Sequence, residues 1–356
     1  MSFLIGYGGY FLFPPTVSVV MPVYNREKLV GEAIESILNQ SFKDFEFIIV
    51  DDGSTDTSGL ICEDYSKEDV RFKTFHINNS CVSNTRNYAL SIATGEYVAF
   101  VDSDDVCEPF MFESLVDAAI RTKSDIVIGA MKFWYQDSCR RNRRPPLLGA
   151  VGKEDIFPMI FSFSTWKKTG FNGGYITAKL FRREIVDGLL FDTNRSVCED
   201  EQFLFQTVMK SKSIYLLDSV IYLYRQRRTS VMHGSYFGGN VLRGRLKIAQ
   251  HYSDEASISI VKLAIYNKVE HILKRWIVSG ELSRPDVLLL QTVGKLYYPF
   301  VKERVEAQLL PYRVIRQWRW LMMPRWMLHL YIKYKRTKLG GGMASVTKVT
   351  NRTLFQ

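Results

Sequence analysis

The sequence has little of what builds disulfide scaffolds or transmembrane helices. It holds five cysteines in 356 residues, an odd number, and no two of them form a C-x-x-C pair. A disulfide framework and a cysteine-based zinc site are therefore unexpected, and a reducing cytosol is the natural compartment. The apolar stretch at residues 1–15 is shorter than the roughly 20 residues that span a bilayer. It also lacks the pattern of a signal peptide, so we expect a packing arm or a shallow membrane contact there.

Acidic residues are missing from the C-terminal end of the sequence. No Asp or Glu follows Glu306, although Lys and Arg recur between 313 and 338. The whole sequence has a formal net charge of +10 and a pI of about 9.2. Such a balance favours anionic partners, which are nucleic acid, a membrane surface or phosphorylated substrates.

Strand and helix signals alternate along the first third of the sequence. Short β-branched or aromatic runs predict strands at "TVSVVMPV", "DFEFIIVDDGS", "RFKTFHIN", "GEYVAFVDSDD" and "DIVIGAMKFWY". Apolar residues at helical spacing lie between them, in "REKLVGEAIESILNQ", "VSNTRNYALSIATG" and "FMFESLVDAAIRTKS". We expect the glycine of the second helical segment to close that helix. The alternation predicts an α/β fold with a mostly parallel sheet flanked by helices.

Three of the predicted strands end in polar loops, "PVYN", "DDGSTD" and "DSDD". We expect the core strands to carry no acids and only their tips to carry them. Ligands of such sheets bind beyond the carboxyl ends of the strands. Asp and Asn also terminate strands without any ligand, but three polar endings at one edge favour a built site.

The spacing of Asp102 and Asp104 favours a shared ligand. Residues i and i+2 of a strand tip point the same way, and hard oxygen ligands suit Mg²⁺ or Mn²⁺. Such a site uses one or two carboxylates together with substrate phosphates. For Asp105, a helix cap and a partner outside the metal shell are the two interpretations.

These segments resemble a known enzyme family. The run from "VSVVMPVYN" through "DDGSTDTS" to "VSNTRNYALSIATGEYVAFVDSDD" is similar to the nucleotide-sugar-binding half of the family 2 glycosyltransferases. The similarity is nearly unbroken from Val17 to about Asp125 and looser to about Met232. It implies the GT-A fold, a Rossmann-like α/β domain, here with a mainly helical C-terminal extension.

The resemblance also implies a division of the chain. Residues 1–15 are the apolar arm, 16–125 the nucleotide-sugar-binding half, and 126–237 the acceptor-binding and catalytic half. Residues 238–340 then form a basic helical region, and 341–356 a flexible tail.

Roles in nucleotide binding follow from the resemblance for residues at the strand ends and on one helix: Pro22, Tyr24, Asn25, Asp52, Arg86, Asp102 and Ser103. Asp52 would accept the imide N–H of uracil, and Asp104 would be the direct metal ligand. Arg86 would lie near the diphosphate, where an arginine can bind in a bidentate way. A surface ion pair is the alternative interpretation for Arg86.

The segment "SVCEDEQFLFQTVMKS" places acids at the start of a predicted helix. It resembles the family's E-D-x-x-F segment, in which Asp200 falls on the catalytic base and Glu199 on an acceptor contact. The alternative is that these acids only complement the helix dipole. A base opposite the leaving group implies direct displacement, and hence inversion at the anomeric carbon.

Four further residues are candidates for phosphate or acceptor contacts. Lys179, in "K-L-F-R-R", would approach the phosphates or the acceptor, or else be a solvent-facing strand lysine. Arg225 and Arg228 lie in a loop that closes over the diphosphate in the family. His233 is either a metal ligand or polar surface.

The basic C-terminal region has an amphipathic stretch. Val314, Trp318, Leu321 and Met322 share one helical face, and arginines lie on the other. This pattern suits the interface of an anionic membrane, and we expect peripheral contact through 311–338. A helix packed on the catalytic domain and nucleic-acid binding are the alternatives, and no nucleic acid is expected.

Together the motifs predict an inverting glycosyltransferase that depends on Mn²⁺ or Mg²⁺. It would move a sugar from a UDP-sugar to a hydroxyl of a glycan or lipid-linked acceptor, at the cytosolic face of a bacterial membrane. A nucleotidyltransferase would need a glycine- and lysine-rich loop after the first strand, and "PVYNREKLVG" is not that loop. A non-catalytic basic adaptor that binds membrane or nucleic acid is the alternative outside the enzymes.

Overall fold

The computed structural model describes residues 14–135, 141–143, 145–161, 173–194, 199–226, 237–251, 284–308 and 313–340, with scattered positions between 261 and 273. The chain divides into two compact units, Met1–Gly234 and Ser235–Gln356. The finer domain boundaries stay predictions. Most of the predicted N-terminal arm, at 1–13, and the predicted tail at 341–356 lie outside the described residues.

The first unit contains a sheet with flanking helices. Its strands are β1 (Val17–Val23), β2 (Phe45–Asp51), β3 (Phe72–His76), β4 (Tyr97–Phe100), β5 (Val106–Cys107), β6 (Ile126–Tyr135), β7 (Arg141–Arg143), β8 (Gly149–Val151), β9 (Lys179–Arg182) and β10 (Ile214–Gln226). Its helices are α1 (Val30–Leu38), α2 (Ser58–Glu68), α3 (Val82–Ile92), α4 (Met111–Thr122), α5 (Lys153–Phe161), α6 (Arg183–Val186) and α7 (Glu199–Lys210).

The strands join in the order β3-β2-β1-β4-β9-β6-β10-β5, with β7 beside β6 and β8 beside β10. The strands β3, β2, β1 and β4 run parallel, as predicted. Strand β9 lies between β4 and β6 and runs antiparallel to both. The sheet is therefore mixed, and its parallel part brings the ends of β1, β2 and β4 to one edge.

Burial of apolar side chains holds this edge in place. Every residue of β2 is buried, and β1 is buried except at Pro22. Helix α1 covers the sheet through Val30, Ala33, Ile34 and Ile37 at helical spacing. Each large apolar side chain so buried contributes about 1.5–3 kcal/mol, so the strand tips sit on a rigid support.

The expectation that the core strands carry no acids is wrong at Glu46 of β2. Glu46 is buried and accepts hydrogen bonds from the Ser18 hydroxyl at 2.7 Å and from the Thr94 backbone N–H at 2.7 Å. Lys73 Nζ lies 3.0 Å from its other oxygen. Burial by itself would raise the pKa of Glu46, but the hydrogen bonds from Thr94, Ser18 and Lys73 hold that pKa below its usual range. The paired carboxylate joins β1, β2 and β3.

Helix α3 does not end at the glycine that the sequence indicated. It ends at Ile92, and Ala93 beyond it is extended. Gly95 instead lies against β1, where a Cβ would come within 2.5 Å of the Ser18 backbone nitrogen. The glycine is needed for this close approach of two backbones and not as a helix cap.

The second unit is helical within its described residues. It contains α8 (Phe237–His251), α9 (Arg284–Glu306), α10 (Arg313–Leu321) and α11 (Arg325–Gly340). Trp318 and Leu321, from the predicted apolar face of α10, are buried in this unit. At Gly294 of α9 a Cβ would lie 2.5 Å from the Leu321 Cβ, so the two helices pack closely. Among the described helices, none is both long and apolar enough to cross a bilayer.

Candidate active site

The loops after β1 and β2 are joined by hydrogen bonds. The backbone N–H of Asn25 donates to the Ser54 hydroxyl at 3.0 Å, and Asn25 Oδ1 accepts from the Thr55 N–H at 2.8 Å. Asn25 has a φ of 50°, in the left-handed region that asparagine tolerates better than most residues. Two of the three predicted strand ends thus form one surface.

Pro22 lies inside β1 and not in the loop after it. It pairs in register with Val50 of β2, and the loop begins at Tyr24, whose side chain is 43% exposed. Tyr24 and Asn25 therefore stand where the sequence indicated, and Pro22 lies just beneath them in the sheet.

Asp52 is buried at the end of β2 and tied to the start of α3. Its Oδ1 accepts from the backbone N–H of Ser80 at 2.9 Å and from the Ser80 hydroxyl at 3.1 Å. The side-chain amide of Asn79 donates to the Asp52 carbonyl at 2.9 Å. These bonds fix the orientation of the carboxylate toward the edge of the sheet.

The "DSDD" segment is a turn and not a strand tip. Strand β4 ends at Phe100, and the N–H of Asp105 donates to the Asp102 carbonyl at 3.1 Å. The turn therefore sets the orientation of the Asp102 and Asp104 side chains, and the alternation of side chains along a strand does not. Their side chains are 32% and 18% exposed, whereas Ser103 is buried.

Asp105 anchors this turn to strand β10. It is buried, and its Oδ1 accepts from the backbone N–H of Arg225 at 2.8 Å. Burial, followed by the charges of Asp102 and Asp104, raises the pKa of Asp105 well above its usual range. Asp105 is therefore not a helix cap, since the next helix, α4, begins at Met111, and its role as a partner outside the metal shell stays a prediction.

Arg225 holds the same turn through its side chain. Its Nε donates to the Asp104 carbonyl at 2.8 Å, its Nη2 pairs with Glu32, and its guanidinium lies 4.1 Å from the ring centroid of Trp134. A predicted diphosphate contact is thus engaged with the backbone of the "DSDD" turn. Arg225 lies in strand β10 and not in the predicted loop, and the other two candidates, Arg228 and His233, lie outside the described residues.

Arg86 connects the "DSDD" turn to the predicted base. It is only 4% exposed, and its Nη2 donates to Asp102 Oδ1 at 3.2 Å. Its Nη1 donates to Asp200 Oδ1 at 2.7 Å and lies 3.5 Å from Glu199 Oε1. The ion pairs of Arg86 are therefore buried ones, unlike the surface pair considered from the sequence.

Asp200 lies at the start of helix α7 and is held from two sides. Arg86 binds its Oδ1, and the backbone N–H of Ile176 donates to its Oδ2 at 3.3 Å. Burial raises the pKa of Asp200 to about 6, while the charge of Arg86 opposes this rise and that of Glu199 adds to it. A fixed carboxylate with such a pKa can accept a proton near neutral pH.

Lys179 fits neither interpretation taken from the sequence. Its side chain is 1% exposed, and its Nζ donates to the carbonyls of Tyr175 and Thr177. Ala178, which follows Thr177 in this turn, has a φ of 57°. Burial lowers the pKa of Lys179 to about 7, although Asp200 opposes this change. The lysine shapes the turn that presents the Ile176 N–H to Asp200.

Comparison with known proteins assigns the family. Residues 18–190 match the model described as "Glycosyl transferase family 2". Glycosyltransferase GlyG of Streptococcus pneumoniae is 31% identical over 230 residues, which are 62% of this chain and 74% of GlyG. The chain belongs to glycosyltransferase family 2. A second relative, "Uncharacterized glycosyltransferase EpsJ" of Bacillus subtilis, is 35% identical over 224 residues; the match covers 62% of this chain and spans 64% of EpsJ.

A solved structure supports the GT-A fold for this family 2 chain. Staphylococcus aureus TarS 1-349 in complex with UDP superposes with a TM-score of 0.69, at 20% identity and over 92% of each chain. At this identity the likeness concerns the fold. Together with the family, it confirms the α/β fold with a helical C-terminal region.

A divalent cation is compatible with the acids of this site. No group of three or more possible His, Cys, Asp or Glu ligands occurs among the described residues. Asp102 and Asp104 are nevertheless half-buried carboxylates on one turn, and their oxygens can act as metal ligands. Asp104 Oδ2 already lies beside a positively charged side chain, because Arg26 Nε is 3.6 Å away. Two carboxylates with substrate phosphates suffice for Mg²⁺ or Mn²⁺, so the residues fit such an ion.

Sequence reasoning missed several residues of this family 2 site. Arg26 beside Asp104, Ser80 beside Asp52, and the pair Asn87–Phe191 described below are all fixed by contacts distant in sequence. Only Ser80 carried a signal, since a polar run, "NNS", comes just before α3. The partners of Arg26 and Asn87 become apparent only once the chain is folded.

Proposed function

We propose that this chain is an inverting, metal-dependent glycosyltransferase that uses a UDP-sugar. The observation that carries the proposal is the buried guanidinium of Arg86, which places Asp200 beside the "DSDD" turn. A proton acceptor and a pair of cation-binding carboxylates thus lie on opposite sides of one arginine. Sugar transfer from a nucleotide diphosphate needs both groups.

The chemistry follows from this arrangement. An acceptor hydroxyl attacks the anomeric carbon, the bond from that carbon to the diphosphate oxygen breaks, and UDP leaves. The hydroxyl proton passes to the Asp200 carboxylate. Since one displacement occurs, the anomeric configuration inverts. Glu199, beside Asp200, contacts the acceptor in this proposal.

The nucleotide lies over the loops after β1 and β2. We assign base and ribose contacts to Tyr24, Asn25 and Asp52, with Pro22 beneath them and with Asp102 and Ser103 on the ribose side. The S. aureus TarS structure was solved with UDP, which supports UDP as the nucleotide. The transferred sugar is a hexose or an N-acetylhexosamine in this proposal, and a screen of UDP-sugars distinguishes the two.

Asp104, with Asp102, would hold the Mn²⁺ or Mg²⁺ ion. When bound, the ion neutralises charge that develops on the leaving diphosphate. Because Arg26 lies beside Asp104, it is also placed near the diphosphate. Arg225 supports the turn from beneath, and Arg228 and His233 remain candidates for closing over the phosphates.

The acceptor in this proposal is a glycan or lipid-linked glycan of a bacterial surface polysaccharide, met at the cytosolic face of the membrane. Helix α11 supports membrane contact, because Leu330 and Tyr334 are exposed on it beside Lys333 and Lys335. The buried Trp318 and Leu321 of α10 do not take part. We expect no nucleic acid as a partner.

Asp200→Asn tests the proposed base. The amide keeps the shape of the side chain but cannot accept the proton, so we expect transfer to fall at least a hundredfold, the lower range for general base catalysis. The UDP dissociation constant should stay within twofold. Asp117→Asn, at an exposed acid on α4, is the matched control. Near-normal turnover of Asp200→Asn would refute the assignment of the base.

A thermal-shift screen of nucleotide sugars with Mn²⁺ identifies the donor, because a ligand that binds only the folded chain raises its melting temperature. UDP release in a lipid extract then tests turnover with each stabilising donor. Silence with every donor, together with tight binding to vesicles or DNA, would favour a non-catalytic adaptor instead.

A further inference from the structure

Two consecutive residues of α3 contact the region that carries the proposed base. Arg86 donates to Asp200 at 2.7 Å. Its neighbour Asn87 exchanges two hydrogen bonds with the backbone of Phe191: Nδ2 donates to the Phe191 carbonyl at 2.9 Å, and Oδ1 accepts the Phe191 N–H at 2.8 Å. A paired exchange of this kind fixes both the position and the orientation of the Phe191 backbone.

The ring of Phe191 extends this connection to the base helix. It stacks on Phe203 of α7, with ring centroids 4.0 Å apart and planes 1° apart. Phe100 of β4 meets both rings edge-on, at 5.6 Å and 5.8 Å. Phe203 follows Asp200 by three residues, so both lie on one face of α7. Fixing Phe203 therefore fixes the rotation of the helix that presents Asp200.

The arginine also contacts the same ring. The Arg86 guanidinium carbon lies 5.3 Å from the Phe191 ring centroid, within reach of a cation–π contact. Phe191 thus touches the Asn87 amide through its backbone and Arg86 and Phe203 through its ring. All these groups are buried or half-buried, so the contacts are not loosened by water.

We infer that Asn87 and Phe191 are positioning residues that hold the Asp200 carboxylate against Arg86 and in line with the acceptor. The inference rests on the proposed role of Asp200 as the base. Neither residue touches the substrate. Their effect on the rate comes from placement, and a misplacement of about 1 Å can cost roughly a hundredfold in rate.

Asn87→Ala is the first test, with Asn84→Ala as its matched control. Asn84 lies one turn earlier on α3, is exposed, and donates to the Ser80 hydroxyl and not to the segment at 191. We expect Asn87→Ala to lower kcat by roughly 10- to 100-fold, with KM for the donor and the UDP dissociation constant within twofold of wild type. Asn84→Ala should retain the wild-type kcat.

Phe191→Leu is the second test, since leucine keeps an apolar side chain but removes the stack on Phe203. We expect the same loss of kcat without a change in UDP binding. Rates are measured below the melting temperature of each variant, so that only folded protein is compared. If Asn87→Ala and Phe191→Leu turn over at the wild-type rate and only their melting temperatures fall, the residues are purely structural and the inference is wrong.

The two proposals fail in different ways. If Asp200→Asn retains turnover, the assignment of the base is wrong, whatever the rate of Asn87→Ala. If Asp200→Asn is inactive while Asn87→Ala and Phe191→Leu keep the wild-type kcat, only the positioning role is refuted.

Discussion

At the scale of the residue, three carboxylates of the site surround one positively charged side chain, that of Arg86. Arg86 is buried among Asp102, Glu199 and Asp200, and removing a buried partner of this kind leaves uncompensated charge. The sequence indicated Arg86 and Asp200 separately, from two motifs. It could not indicate that they bind each other, because 114 residues separate them.

The fall of kcat at low pH follows from the pKa of Asp200. Burial raises this pKa to about 6; Arg86 opposes the rise, Glu199 adds to it, and Lys179 opposes it. The base must be ionised, so kcat is full above the pKa and falls about tenfold per pH unit below it. Glu199→Gln removes a charge that raises the pKa of Asp200, and the acid limb of kcat should then move to lower pH.

Measuring kcat at saturating substrates between pH 5 and about pH 8 gives the position of this limb. Asp117→Asn, at an exposed acid of α4 that pairs with Arg121, should leave the limb where wild type has it. A limb that stays unchanged in Glu199→Gln would show that another group controls the rate.

Asp104 gives the second prediction at this scale. Asp104→Asn keeps the size of the side chain but weakens its attraction for a cation, so UDP binding should lose most of its dependence on Mn²⁺. Calorimetric titration of UDP with and without Mn²⁺ measures this dependence, and Asp117→Asn again serves as the control. Equal dependence on Mn²⁺ in wild type and Asp104→Asn would refute the metal role.

At the scale of the element, strands β1 to β4 and β6 and helices α1, α3, α4 and α7 were predicted, whereas helix α2, strand β10 and the joints between elements were not. The segments at 17–23 and 45–51 are rich in apolar residues, which predicted strands, and the structure confirms both strands. The "DSDD" turn, the left-handed Ala178 and the role of Gly95 depend on contacts with other elements. Local pattern cannot reveal such contacts, which explains why Lys179 was expected at the surface or on the substrate and not beneath the turn.

Gly53 tests the loop that follows β2. It has a φ of 68°, and a Cβ there would lie 2.8 Å from the Asn79 backbone nitrogen. Gly188 has a φ of 75° with nothing within 4 Å of its Cβ position. Both Gly→Ala variants should lose about 1–3 kcal/mol to backbone strain. Only Gly53→Ala should lose more than this and also weaken UDP binding, because Asp52 precedes it.

Urea denaturation gives the free energy of unfolding of each variant, and a UDP titration gives its affinity. Equal destabilisation of the two variants, with UDP affinity unchanged in both, would mean that the Gly53 loop adapts without moving Asp52.

At the scale of the whole molecule, the C-terminal segment that the sequence indicated for membrane contact forms two helices with different exposure. Helix α10 buries apolar side chains of the predicted face, and helix α11 exposes apolar and basic side chains. The sequence indicated one face, from Val314 to Met322, as a membrane contact. Trp318 and Leu321 of that face are buried in the second unit, and Trp318 stacks on Tyr266 with ring centroids 5.7 Å apart. Periodicity alone cannot tell an apolar face that meets lipid from one that packs in protein, because both have the same spacing.

We therefore predict that the exposed residues of α11 bind anionic vesicles. Each lysine near such a surface contributes about 1 kcal/mol, so replacing both Lys333 and Lys335 by Gln should weaken binding roughly 30-fold. Replacing the exposed Lys43 and Lys67 of the first unit by Gln makes the same change in net charge and should weaken binding far less. Sedimentation with phosphatidylserine vesicles measures the difference, and rising salt should reduce it. Equal losses in both pairs would mean that net charge alone attracts the chain, and that α11 is not a membrane contact.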